Sequence, residues 1–125
     1  MPGTRHSNNP IKRFREGYKA QLDRTLAHLD AGDLVEIEPR FFHTSSGRWL
    51  RPDAALTQNR FLDVKRWSES FLREHVDDLV EKMKAYGTHF TGGGVVELLG
   101  GYSDDIIDLL RSKLPSNIIV MPMFG

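Results

Sequence analysis

The last third of the chain restricts the fold most. Val95–Leu99 is a short apolar run, Gly100 and Gly101 interrupt it, and Ser103 opens a helical pattern. Ile106, Ile107, Leu109, Leu110 and Leu114 form the buried side of that helix, and Asp104 and Asp105 suit its positive N-terminus. Pro115 stops it, and Ile118–Met123 is again apolar, with Pro122 limiting the strand. If Val95–Leu99 is a strand, these pieces form one βαβ unit of the right-handed kind. The run is too short for its period to separate a strand from one helical turn.

Upstream, Asn9 caps and Pro10 opens a long first helix. Ile11, Phe14, Tyr18, Leu22, Leu26 and Leu29 share one face, and Gly32 ends it. Leu34–Phe42 alternates apolar and polar residues, with Pro39 marking an edge strand or a bulge. His43–Gly47 is a turn and Arg48–Leu50 the return strand of a hairpin. The stretch from Arg51 to Arg60 has no clear period, and a short helix after Pro52 is one reading. Asp63 is taken as the cap of a second long helix carrying Val64, Trp67, Phe71, Leu72, Val76, Leu79, Val80 and Met83, with Gly87 as its end. The expected fold is therefore α+β: one small domain over residues 10–125, with a long N-terminal helix, a β-hairpin, a second long amphipathic helix, and a C-terminal helix and strand. Residues 1–9 are a polar arm.

A chain of 125 residues fits one domain with its own core. It has no cysteine, which excludes disulfides and thiolate chemistry. No apolar run is long enough for a bilayer, and the polar N-terminus is not a secretory signal, so a soluble cytoplasmic protein is expected. Net charge is zero but unevenly spread. Met1–Asp30 holds six basic and three acidic residues, whereas Val76 to the end holds four basic and seven acidic ones.

The stretch Phe90–Asp105 raises the question of phosphate binding, since glycines before a helix start can cradle an anion. No lysine or arginine lies between Lys84 and Arg111, and Asp104 and Asp105 occupy the first helical turn. A capped turn is the better reading. The run Gly92–Gly94 then needs another reason: a close backbone approach or a moving loop.

Three function classes follow. The first is a non-catalytic interaction or assembly protein that self-associates or joins a larger complex, with Phe14, Tyr18, Trp49, Trp67 and Phe124 as interface anchors. A homo-oligomer or a protein partner is expected. The second is a small nucleic-acid-binding accessory protein using Arg5, Lys12, Arg15 and Lys19. The third is a small enzyme with a histidine-containing cleft, drawing on His75 with Ser68, on His43 beside Ser45 and Ser46, or on His89. No catalytic motif accompanies these histidines, which places the non-catalytic reading first. Glu74, Asp78 and Glu81 share a helix side but read as a solvated face. Neither a metal nor another cofactor is expected.

Overall fold

A computed structural model describes the backbone of residues 10–123 and side chains from Arg15 to Met123. The order is α1 (Pro10–Ala31), β1 (Leu34–Ile37), β2 (Phe41–His43), β3 (Arg48–Leu50), β4 (Ala54–Leu56), β5 (Arg60–Lys65), α2 (Glu69–Glu74), α3 (Val76–His89), β6 (Gly94–Leu99), α4 (Asp104–Lys113) and β7 (Ile118–Met123). Five strands form one mixed sheet in the order β1-β4-β5-β6-β7, and β2 pairs with β3 as a separate hairpin. β1, β4 and β5 run antiparallel, whereas β5, β6 and β7 run parallel. The fold is α+β, and Val95–Leu99 is a strand, so β6-α4-β7 is the βαβ unit.

The second helix begins later than the spacing implies. Arg60–Lys65 is a central strand with Phe61, Leu62 and Val64 buried across its two faces. Such a strand carries no alternation, and Val64 and Trp67 fall at helical spacing by coincidence. Ser68, not Asp63, caps the helix, accepting from Phe71 N. The helix also breaks at His75, and its second part runs past Gly87 to His89. The stretch from Arg51 to Arg60 is no helix either: it supplies β4 and a turn in which Gln58 and Asn59 have φ of 65° and 55°. Leu34–Phe42 splits into two strands of different sheets at Glu38, whose φ is 50°.

The run Gly92–Gly94 is a close approach. A Cβ on Gly92 would strike the Gln58 carbonyl, one on Gly93 the Asn117 carbonyl, and one on Gly94 the Phe61 ring. The chain thus enters β6 squeezed between the β4–β5 turn and the loop before β7. Gly93 also has φ +89°. Gly93→Ala is expected to cost at least about 1–3 kcal/mol from backbone strain. Urea unfolding measures it, and a neutral result would contradict both the positive φ and the close approach to Asn117.

The larger core lies between the sheet and α2, α3 and α4, with Phe61, Leu72, Met83, Leu98, Ile106 and Leu110 at its centre. The other face carries a smaller cluster of Ala54, Leu56, Leu62, Val64 and Val95, against which Ala20 of α1 packs. Here α1 is unusual. Its sheet side is small or polar: Ala20, Gln21, Arg24, Thr25 and His28. Glu97, 3% exposed in β6, receives the Arg24 guanidinium at 2.7 and 3.1 Å and faces His28 Nε2 at 2.9 Å. His28 Nδ1 lies 2.9 Å from Asp33. The apolar stripe of α1 faces solvent instead, with Tyr18 53%, Leu22 43%, Leu26 47% and Leu29 55% exposed.

Candidate functional site

Alternation along β5 points Phe61 into the larger core, so Asp63 and Lys65 project from that same face. Asp63 is buried, at 2% exposure, under α3, where Lys82 supplies a compensating charge. Lys65 Nζ stands 3.3 Å from Asp63 Oδ2 and 5.3 Å from the centre of the Trp67 ring. That separation makes the two an ion pair, and Lys65 pulls the Asp63 carboxyl down against the effect of burial. Asp63 Oδ2 is the buried side-chain oxygen among the described residues that has no hydrogen-bond donor.

A second carboxylate meets it. Asp53 follows the buried Pro52 and precedes β4. Its backbone is pinned on both sides: its N–H donates to Leu62 O at 3.0 Å, and its carbonyl accepts from Glu38 N at 2.9 Å. The β4–β5 ladder ends at Ala54↔Leu62, which would leave the Val64 N–H without a strand partner on that side. Asp53 Oδ2 accepts that N–H at 2.6 Å. The antiparallel β4–β5 hairpin therefore brings together two aspartates ten positions apart in sequence.

The electrostatics are those of two acids in one poorly solvated place. Burial first, and then the charge of Asp63, push the Asp53 carboxyl up to about 7. Burial also raises Asp63, against the opposing pull of Lys65 and Lys82. The Tyr86 hydroxyl, which donates to Arg51 O at 3.3 Å, is held well above its usual range by burial and by both aspartates. Asp53 and Lys65 are only half-buried, so the pair reaches solvent on one side. Arg51, exposed, follows β3 beside Tyr86, whereas Arg66 turns to the opposite, α1 side of the sheet.

The residues singled out from sequence fall elsewhere. Ser68 and His75 do not pair. Ser68 caps α2, and His75 Nδ1 turns to Phe71 O at 2.8 Å while its ring stacks on Phe71 at 3.9 Å. His43 Nδ1 lies 2.8 Å from Ser46 Oγ at the hairpin turn. His43 and His89 do share a shallow cleft of about 200 Å³, also lined by Thr44, Ser45 and Thr88. Phe41 stacks on His89 at 4.4 Å, and no acid lines that cleft to orient either ring. Arg15 and Lys19 are exposed on α1, and Lys19 pairs with Asp23 at 2.7 Å. Lys19, Arg24 and Arg66 border a groove of about 290 Å³ with Leu99 and Gly100. Trp49 is exposed and packs on Phe42, whereas Trp67 is half-buried against the core. Arg5 and Phe124, and the side chains of Lys12 and Phe14, lie outside the described residues.

The start of α4 answers the phosphate question. Glu69 of α2 accepts from Ser103 N at 2.6 Å and from Ser103 Oγ at 3.1 Å, and Arg73 neutralises it at 2.8 Å. A carboxylate of the chain itself already sits where an anion would bind. Glu74, Asp78 and Glu81 are exposed, and no trio of metal-ligating side chains stands together among the described residues. No helix there is long and apolar enough to cross a membrane.

No protein-family model matches the chain, and comparisons with curated proteins and with solved structures find no match either. The functional reading therefore rests on the site.

Asp53, Asp63 and Lys65 were missed in the sequence because Asp63 resembles a helix cap. The available signal was Asp63-Val64-Lys65 read with period two, which sets a carboxylate and an ammonium on one strand face.

Proposed function

We propose that this chain is a divalent-cation-dependent hydrolase of phosphodiester bonds, with nucleic acid as its substrate class. The observation that supports it is the orphaned, buried Asp63 Oδ2 beside a second carboxylate and a lysine. A buried carboxylate oxygen with an ion pair at 3.3 Å but no hydrogen-bond donor is costly, and a bound cation would satisfy it. Oxygen donors alone, two carboxylates in number, suit Mg²⁺ or Mn²⁺. These ions take one or two protein carboxylates and fill their other positions with water and substrate phosphate, so no third acidic ligand is needed.

A cation held there supplies Lewis-acid polarisation of a phosphoryl oxygen and a more acidic bound water. The chain's own groups do the rest. Asp53, just before β4, and Asp63, in β5, are the residues that would hold a cation. Lys65, two residues from Asp63 and half-buried, would offset the charge that grows on phosphoryl oxygens. Arg51, exposed beside Tyr86, would attract the polyanion. In the reaction a water oxygen bonds to phosphorus, one P–O ester bond breaks, and a proton passes to the departing oxygen.

The test is direct. Supercoiled plasmid, single-stranded DNA and RNA are incubated with the chain in Mg²⁺ or Mn²⁺, with EDTA as control, and thermal melting is recorded with each ion. Cation-dependent cleavage and a rise in Tm are expected, because a ligand that binds only the folded state stabilises it by RT ln(1 + [L]/Kd). Absence of both cleavage and a Tm shift would remove the proposal.

A second reading, self-association, has its own observation. The leucines of α1 face solvent, as a contact face requires and a free helix does not.

A further inference from the structure

We infer that the outward stripe of α1 packs against α1 of a second copy of this chain, the two helices lying antiparallel about a two-fold axis near Leu22. The inference rests on the self-association reading and gives it a partner and a geometry.

The stripe comes first. Tyr18, Leu22, Leu26 and Leu29 span three turns at the natural helical period, so they stay on one line along α1. All four are about half exposed, although the same helix turns Arg24, Thr25 and His28 toward the sheet. Among the described residues no strand of the sheet covers Leu22, Leu26 and Leu29.

The charges choose the occupant. On the flank of the stripe turned away from the sheet stand Arg15, Glu16 and Lys19 in the N-terminal half, net positive, then Asp23 and Asp30 in the C-terminal half. Arg15, Lys19, Asp23 and Asp30 are exposed and Glu16 is half-buried. In an antiparallel helix pair the same flank of each helix meets its counterpart. A two-fold near Leu22 therefore sets Arg15 and Lys19 of one copy against Asp30 and Asp23 of the other, and the contact repeats by symmetry. The Lys19–Asp23 pair within each helix lies at the centre and joins its symmetry mate in a four-charge cluster. A parallel pair would set this charged flank against the sheet-facing flank of its partner and lose the match. The pattern is thus complementary to itself, which an unrelated partner or a lipid surface would not require.

Sedimentation of the wild-type chain is expected to show a dimer. Leu22→Glu with Leu26→Glu should weaken it at least roughly tenfold, as loss of central anchors does. The circular dichroism should not change, since both side chains are exposed. Arg15→Asp with Lys19→Asp should weaken the dimer, and adding Asp23→Lys with Asp30→Lys should restore it. The chain has no cysteine, so single cysteines report geometry. Leu22→Cys should form disulfide-linked dimers with itself. Leu29→Cys should not, while Tyr18→Cys mixed with Leu26→Cys should cross-link. A wild-type monomer would overturn both the inference and the self-association reading. That outcome includes a stripe covered by residues 1–9 of its own chain. A dimer that survives the leucine changes, or that cross-links Leu29→Cys to itself, would overturn the antiparallel pair alone.

Discussion

Asp63→Asn is expected to give a protein that is more stable than the wild type and inactive. Removing the buried charge removes its desolvation cost and its repulsion of Asp53, and a gain of about 1–3 kcal/mol follows when no cation is present. The same change should abolish the Tm rise produced by Mg²⁺ or Mn²⁺ and lower cleavage by several orders of magnitude. Stability and activity moving in opposite directions is the mark of a site kept at the expense of the fold. Asp63→Asn that destabilises the chain, or keeps its response to the ions, would refute the assignment.

The pH dependence follows from the same pair. Asp53 ionises near 4 in the unfolded chain but at about 7 when folded, so between those values the folded state binds more protons. Stability should therefore be highest at the acidic end of that window and fall as pH rises through about 7. A divalent cation favours the ionised pair, so its stabilising effect should grow over the same range. In Asp63→Asn the Asp53 carboxyl should move back toward its ordinary value and flatten the profile. Melting curves from about pH 5 to about pH 9, with and without Mg²⁺, test this. A wild-type stability that climbs steadily with pH would contradict the buried-pair account.

What could be read from the chain divides by locality. The first helix, the β2–β3 hairpin and the last helix were legible because their signals lie within a few residues, such as Pro10 and Gly32 at the ends of α1 and the turn from His43 to Gly47. The βαβ unit stayed conditional because Val95–Leu99 is too short to show its period. The β4–β5 hairpin was hidden because its left-handed turn residues are Gln58 and Asn59, without the glycine that usually announces such a turn. Losing that hairpin lost the site, since only the pairing of β4 with β5 brings Asp53 to Asp63. The close packing of Gly92–Gly94 was one of two expectations for that run, and its neighbours, Gln58 and Asn117, are set by tertiary structure. Glu97 within Val95–Leu99 was a further clue: a carboxylate in an apolar strand demands a buried partner, and spacing could not name Arg24.

Arg24→Ala tests why α1 sits with its leucines outward. Arg24 is a quarter exposed, but Glu97 is almost wholly buried, so the cost comes from the carboxylate left behind. A loss of about 3 kcal/mol is expected, at the lower end for a broken buried pair because His28 still faces Glu97. Replacing both members, Arg24→Met with Glu97→Met, should recover most of that loss, because an apolar pair has no charge to desolvate. Chemical denaturation of the single and double variants forms the cycle that isolates the coupling. The expected coupling means that α1 docks through Glu97. That leaves its leucines unneeded by the sheet and available to a second copy. If Arg24→Ala costs under about 1 kcal/mol, an ordinary surface pair, then Ala20 and Thr25 packing sets the helix orientation instead.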